Sequence, residues 1–387
     1  MTVIHISFDF PDKIDKRKTV AVKNLVNSYS QNNNIVFSLN RTATRIINPE
    51  VYKEEHGYTL QVTGFPFGVL LIFWMFVAYR RILKIIEAKG IKPEMIHAHK
   101  LTFEGVIAYF LAKKLKVPFI TSIRGADVYV LTHKRFSRSF YRKIISKASR
   151  VIFIAPWAVK PMHTFLGEEN FKGKTEILPN IVNFSQQKNG AHFSEYKRFI
   201  TVFRFKASTY KLKNIGRIIK AFDLVFRKYP EYGLDIVGDG PLKSRIIADI
   251  NRTSYPQNFT LKGEIENSVM AKIYPGYLGF VLPSFPETFG LVFIEALSAG
   301  IPVIYARNAG IDGYFDDYHV GVAVYHRSVE EIAGAIEEII KNKESYKHNV
   351  ENMIKAGYLN RFTKTSVGER YCEILQKAGE TNLMRIK

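Results

Sequence analysis

The chain has 387 residues, more than twice the ~150 of an average domain, which excludes a single small module and leads to two domains. With 47% hydrophobic and 24% charged residues, its composition is that of a packed globular protein and not of a disordered or fibrous one. Its 56 Lys+Arg against 35 Asp+Glu give a net charge of +21, which points to an anionic partner such as nucleic acid, a membrane surface or a phosphorylated ligand.

The excess is lopsided. Residues 1–197 hold 30 basic and 14 acidic side chains, a net +16, whereas residues 198–387 hold 26 and 21, a net +5. The lone cysteine, Cys372, excludes an intramolecular disulfide and a cysteine-rich metal site, and fits a reducing compartment. Met1 to Phe8 runs into an apolar strand pattern without a basic leader or a small-residue cleavage site, so a cytoplasmic protein is expected. The longest apolar stretch, Phe65 to Tyr79, has 15 residues and includes Pro66 and Gly68. That is short of the ~20 a membrane-spanning helix needs.

In chain order the expected elements are a strand over Val3–Phe8, a helix around Val20–Ser30, a strand over Asn34–Leu39, a helix over Leu70–Lys89 and a strand over Met95–His99. A helix over Phe103–Leu115, a strand over Pro118–Ile123, a basic helix over Lys134–Ser149 and a strand over Val151–Ile154 follow. Such alternation predicts βαβ units, a parallel sheet and helices on both faces. Around Asn183–Lys197 the pattern dissolves into polar residues, which places a linker at 186–197. It restarts with strands over Phe199–Phe203, Leu234–Val237, Phe259–Lys262, Leu278–Pro283 and Pro302–Tyr305. Between and after them come helices over Asn214–Tyr229, Leu242–Ile250, Ser268–Tyr274, Gly290–Ala299 and Val329–Asn342, and a last helix over Phe362–Ala378. The expectation is two tandem Rossmann-like α/β domains, over 1–185 and 198–362, with residues 363–387 as a terminal helix.

The most informative segment runs from Leu282 through Pro-Ser-Phe-Pro-Glu287-Thr-Phe-Gly290 to Glu295 and on to Gly300 and Pro302. A strand ends, a loop carries Glu287, and Gly290 lets the backbone approach a ligand before a helix that stops at Gly300. The amides of Phe289, Gly290 and Leu291 at that helix start, with the helix dipole, favour a phosphate. Glu287 and Glu295 flank the junction, where each can accept hydrogen bonds from hydroxyls on either side of a diphosphate. The blander reading makes Glu287 a first-turn partner and Glu295 a solvated position.

Pro-Ser-x-x-Glu-x-Phe-Gly with Glu-Ala eight residues past the first Glu resembles the signature of the retaining GT-B glycosyltransferases, family 4. Three further segments agree: Leu234-Asp-Ile-Val-Gly-Asp-Gly-Pro241, Lys213-Asn-Ile-Gly-Arg217, and Phe259-Thr-Leu-Lys-Gly263. The N-terminal half matches at Ile96-His97-Ala-His99, Ile123-Arg124-Gly-Ala-Asp127 and Leu178-Pro-Asn180. The resemblance implies two Rossmann-like domains facing a central cleft, with the C-terminal helix crossing back to the N-terminal domain. It also implies a hexosyl transfer from a nucleotide diphosphate sugar, a UDP- or GDP-sugar, with no covalently bound cofactor and no metal. In the carried-over roles Glu287, Arg204, Lys213 and Arg124 are catalytic. Glu295, Phe289, Gly290, Leu291, Gly263 and Lys262 bind the donor, and His99 and Asp127 lie on the acceptor side.

Two departures stand out. Phe8-Asp-Phe-Pro-Asp12-Lys13 has no glycine where the family has a glycine-rich turn, and Arg124 replaces the family's His, suggesting a changed sugar or phosphate contact. Asp127 either orders its loop or touches ligand. His97 and His99, at i and i+2 of a strand, share one face; His97 is assigned to packing and His99 to the cleft, and without a third ligand they make no metal site.

Arg135, Arg138 and Arg142 of the basic helix share a face beside a seam of Phe136, Phe140 and Ile144, and Lys113, Lys114 and Lys116 form a second basic cluster. Together with the +16 of this half, they lead to an anionic membrane surface as partner and to a peripheral position on the inner face of the cytoplasmic membrane. The resulting expectation is sugar transfer to a lipid-linked glycan acceptor in surface polysaccharide synthesis. The alternatives are a nucleotide-sugar epimerase of the same fold and a basic nucleic-acid-binding protein, the latter without a recognisable RNA or DNA module.

Overall fold

The computed structural model describes residues 1–29, 32–42, 51–64, 70–132, 137–184 and 196–386. The chain forms two compact units, the first made of Met1–Ile154, Ala158–Ile181 and Phe362–Lys387, the second of Ala155–Trp157 and Val182–Arg361. The expected linker at 186–197 lies outside the described residues except for Tyr196 and Lys197, as do Arg135 and Phe136.

Unit 1 contains β1 (Thr2–Ser7), α1 (Ala21–Val26), β2 (Asn33–Thr42), β3 (Val51–Glu54), β4 (Gly57–Thr63), α2 (Leu71–Ala88), β5 (Met95–Ala98) and α3 (Glu104–Leu115). It continues with β6 (Phe119–Ile123), α4 (Gly125–Thr132), α5 (Arg138–Lys147), β7 (Arg150–Phe153), α6 (Val159–Leu166) and β8 (Thr175–Ile177). The strand order is β3-β4-β2-β1-β5-β6-β7-β8, with every pair parallel except the β3–β4 hairpin. Neither the hairpin nor α4 is among the expected elements. Hairpin strand β3 alternates exposed and half-buried residues at the sheet edge and carries little apolar signal. Helix α4 is short and starts inside the segment read as a loop around Asp127.

Unit 2 contains β9 (Arg198–Val202), α7 (Ala207–Leu212), α8 (Ile215–Phe226), β10 (Gly233–Val237), α9 (Lys243–Asn251), β11 (Phe259–Gly263) and α10 (Asn267–Ile273). After these come β12 (Gly279–Leu282), α11 (Leu291–Ser298), β13 (Val303–Ala306), β14 (Gly321–Val324), α12 (Val329–Lys341) and α13 (Lys343–Lys355). Its all-parallel sheet has the order β11-β10-β9-β12-β13-β14. This is the doubly wound order, whose ligand crevice lies beyond the carboxyl ends of the two strands flanking the reversal, here β9 and β12.

The last helix, α14 (Lys364–Ile386), belongs to unit 1. Its apolar face, Val367, Tyr371, Ile374, Leu375 and Ala378, is buried with Val3, Met95, Ile120 and Ile152 of the sheet. Full burial of each such Ile or Leu side chain stabilises the fold by about 1.5–3 kcal/mol relative to exposure. The C-terminal helix therefore completes the N-terminal core, as the resemblance implies.

Candidate functional site

In unit 2 the ladder between β9 and β12 ends at Phe280↔Ile200, although both strands run two residues further. Their continuations supply the site. The segment after β12 is tied to the end of α7 by the Phe285 amide, which donates to the Leu212 carbonyl at 2.8 Å. Next to it Lys213 Nζ lies 2.7 Å from Glu287 Oε2, so the expected cation and the first expected carboxylate, 74 residues apart in sequence, form one half-buried ion pair. The hydroxyl of Ser284 donates to the same carboxylate oxygen at 3.0 Å, and the Thr288 amide donates to Oε1 at 3.1 Å. The Glu287 carbonyl accepts the Gly310 amide at 2.9 Å, which fastens the loop to the one after β13.

Gly290 is the N-cap of α11 with φ 77°, and a Cβ there would lie 2.5 Å from the Phe293 ring. Only glycine fits this left-handed, crowded start. Phe289 is buried with its ring edge-on to Tyr314, while Leu291 is exposed. Glu295 lies within α11, and burial raises its carboxyl above the ordinary range. Arg204 is exposed just past β9, and its carbonyl accepts the Thr209 hydroxyl.

Gly238 closes the neighbouring turn: with φ 138°, a Cβ would meet the Phe203 carbonyl oxygen at 1.9 Å, and its amide donates to the Gly263 carbonyl at 2.7 Å. Lys262 stands apart from this group. Its ammonium pairs with Asp235 at 3.2 Å, a buried carboxylate that Arg198 and Tyr277 also hold.

The carboxyl ends of β1, β5 and β6 in unit 1 gather Arg124, Asp127 and His99 with three residues that sequence reasoning missed, Asp9, Lys100 and Glu104. Lys100 Nζ lies 2.7 Å from Asp9 Oδ1. Glu104 is fully buried; Oε1 accepts the Phe8 amide at 2.9 Å, and Oε2 has no hydrogen-bond partner. Burial, partly offset by the Lys100 charge, raises its carboxyl to about 8. Arg124 is buried, with Nε donating to the His99 carbonyl at 3.1 Å, and Asp9, Glu104 and Asp127 lie near enough to oppose the effect of its burial.

Asp127 orders its surroundings. Oδ2 accepts the Arg124 amide at 2.8 Å, the reach-back of a third helical residue to its N-cap, and Oδ1 accepts the amide and hydroxyl of Thr102 at 2.9 and 2.7 Å. Of its two readings, loop ordering accounts for every bond it makes. Placing the His99 ring in a cleft is corrected: the imidazole is fully buried and its Nε2 lies 3.1 Å from His5 Nδ1.

His5 also supplies the third imidazole that the sequence reading lacked, the three rings offering nitrogens within 4.8 Å of one another. All of those nitrogens but one have partners, and His99 Nδ1 is buried without a hydrogen-bond partner among the described residues. His97 bonds the Tyr371 hydroxyl at 2.7 Å and Ser122 at 2.8 Å, and His5 bonds Asn34 at 3.1 Å. Burial holds all three rings neutral, His5 down to about 4.

Where a glycine-rich turn was missing, Asp12 does the organising. Its carboxylate accepts the amides of Ile14 and Asp15 at 2.9 Å each, Lys18 Nζ at 2.6 Å, the Ser38 hydroxyl at 2.5 Å and Asn40 Nδ2 at 2.8 Å.

Residues 184–357 match the family described as "Glycosyl transferases group 1", and residues 43–180 match the "Glycosyl transferase 4-like domain". The chain belongs to the GT-B glycosyltransferases of family 4. Among its relatives, the alpha-monoglucosyldiacylglycerol synthase of Acholeplasma laidlawii is 24% identical over 318 residues, 76% of each chain. Two solved structures share the fold: a sucrose-phosphate synthase from Thermosynechococcus elongatus and the Anabaena protein HepE in complex with UDP and glucose. The first has a TM-score of 0.67 at 18% identity, covering 97% of this chain and 98% of its own. The second has a TM-score of 0.63 at 16% identity, covering 97% and 99%.

In this glycosyltransferase the residues that escaped the sequence reading left faint signals. Glu104 is the one acidic residue of the segment Phe103–Leu115, and Asp9 and Lys100 each stand two residues past a strand end. Ser284 lies inside the signature itself, as the Ser before Glu287. No helix among the described residues is long and apolar enough to cross a membrane.

Proposed function

We propose that the chain is a retaining, metal-independent hexosyltransferase. It takes a sugar from a UDP- or GDP-sugar and passes it to a lipid-linked glycan acceptor in surface polysaccharide synthesis, working peripherally on the cytoplasmic face of the membrane. The observation that carries the reading is the Lys213–Glu287 pair beside the N-terminus of α11, at the switch point of the unit 2 sheet. The relative named for a glucosyldiacylglycerol product supports the lipid acceptor.

Breaking the bond between the anomeric carbon and the diphosphate leaves charge on the phosphate oxygen. Arg204, Lys213 and the amides at Phe289, Gly290 and Leu291 are the groups that stabilise it there. Glu287, already ordered by Ser284 and the Thr288 amide, grips the sugar hydroxyls once Lys213 turns to the diphosphate. Glu295 holds the ribose, and Gly263 with Lys262 borders the base, which requires Lys262 to leave Asp235. The departing phosphate oxygen takes the acceptor's hydroxyl proton as the new glycosidic bond forms on the same face, so no separate carboxylate base is needed. Unit 1 receives the acceptor, with Arg124 as a contact to its phosphate and His99 and Asp127 acting behind it.

Incubation of the purified chain with nucleotide-sugars and membrane lipid extracts tests this. Glu287→Ala and Lys213→Ala are each expected to lower transfer at least ~100-fold, the scale of losing one group that stabilises a developing oxyanion. Unchanged turnover in both variants would remove the assignment, and epimer formation without any acceptor would replace it.

A further inference from the structure

Among its described residues, unit 1 carries an exposed apolar surface. The first half of α2 exposes Leu70, Ile72, Phe73 and Phe76, with Leu70 62%, Phe73 53% and Phe76 39% accessible, while Met75, Ala78 and Tyr79 face the core. Phe76 meets Phe110 of α3 edge-on, with ring centroids 5.1 Å apart, and Phe110 lies 6.3 Å from Phe140 of α5. Helix α3 packs against both α2 and α5, so one aromatic ridge crosses three helices.

Two of the ridge residues, Phe110 and Phe140, stand one or two turns from lysines. On α3 Lys113 and Lys114 follow Phe110 at i+3 and i+4, and on α5 Lys143 and Lys147 follow Phe140 at i+3 and i+7, all four exposed. Between them a groove of about 480 Å³ is lined by Tyr109, Lys113, Phe119, Lys143 and Lys147. Tyr109 lies within 6.1 Å of Phe140, which joins groove to ridge. Residues 101–150 hold eleven basic side chains and two acidic ones, and both acids, Glu104 and Asp127, are fully buried. The basic helix is thus partitioned: Arg138 and Arg142 donate to the Phe165 and Leu166 carbonyls at the end of α6, and Lys143 and Lys147 are left for solvent.

We infer that the Phe73–Phe76–Phe110–Phe140 ridge with its lysine-lined groove is a docking surface for an anionic lipid bilayer, the rings entering the interface and the groove seating a lipid phosphate. The inference rests on the membrane-borne acceptor proposed above. Charge complementarity selects this occupant. A bilayer sets a plane of phosphates over hydrocarbon, the arrangement that aromatic rings ringed by lysines match. A second copy of this face would set lysine against lysine.

Vesicle co-sedimentation of the full chain, with phosphatidylcholine alone or mixed with phosphatidylglycerol, tests it. Each lysine near an anionic surface is worth about five-fold in binding. The wild type is expected to bind the mixed vesicles at least ~10-fold more tightly than phosphatidylcholine, with binding that weakens in salt. The triple change Lys113→Glu, Lys143→Glu, Lys147→Glu is expected to abolish this preference. The pair Phe73→Ser, Phe76→Ser is expected to weaken binding at high salt, where rings and not charges remain. All five positions are exposed, so melting temperature checks that the variants fold. Equal binding to both vesicles, variants that bind like the wild type, or a dimer that Phe73→Ser, Phe76→Ser dissociates would each overturn the inference. Stabilisation by UDP- or GDP-sugars, measured on the same samples, separates the two readings. Donor binding without vesicle binding removes only this surface, and vesicle binding without donor binding removes only the proposed transfer.

Discussion

Glu104 shows what burial does to one carboxyl. Its folded value near 8 lies above the ordinary 4.5, so between those values the folded chain keeps a proton that the unfolded chain has lost. Its contribution is therefore complete below 4.5 and is lost as pH rises toward 8. The histidines act with the opposite sign: His5, held near 4 against 6.5 when unfolded, removes stability as pH falls from 6.5 toward 4. Above pH 6.5 the two effects separate. Denaturant midpoints of the wild type are expected to fall between pH 6.5 and 8, and those of Glu104→Gln to stay level; parallel slopes would count against a protonated Glu104. Sequence legibility at this scale was uneven. Glu287, Gly290 and Lys213 were found because a strand end, a glycine and a helix start announce them locally. The raised pKa of Glu104 and the burial of His99 depend on elements packed over them and leave no local trace.

Among the elements, α14 joins the two ends of the chain. The Tyr371 hydroxyl on its buried face bonds His97 on β5, 274 residues away, inside a core with Ile374 and Leu375. Tyr371→Phe keeps the ring and leaves His97 Nδ1 without a partner, which costs about 1–3 kcal/mol. Urea denaturation is expected to show that loss with an unchanged slope, since the surface exposed on unfolding is the same. The alternation of strand and helix was readable because periods of 2 and 3.6 are written in adjacent residues. The β3–β4 hairpin was not, since an edge strand with one polar face lacks an apolar run. Nor was α4, whose start depends on Asp127 reaching back to the Arg124 amide.

For the molecule as a whole, two sheets of the same doubly wound pattern divide the charge unequally, and the half with +16 carries the exposed aromatic ridge. A ligand that binds only the folded chain stabilises it by mass action, by about 2.7 kcal/mol at a hundred times its Kd. A melting series over UDP-, GDP-, ADP- and dTDP-sugars is expected to single out one base, with the shift reduced in Lys213→Ala. No shift for any of the four would count against a nucleotide-sugar donor, and a shift undiminished in Lys213→Ala would place diphosphate recognition away from Lys213.

The sequence by itself determined the α/β class, the two-domain count, the family signature around Glu287 and the side of the chain that holds the charge. Each of these is carried by neighbouring residues or by composition. Only the tertiary structure decided that Lys213 meets Glu287, that Lys262 is held by Asp235, that His99 turns inward to His5 and that Arg138 and Arg142 serve α6 while Lys143 and Lys147 do not. Those outcomes depend on strand order and on which helix covers which face. They bring together residues tens to hundreds of positions apart, and burial then sets the charge and the partners of each.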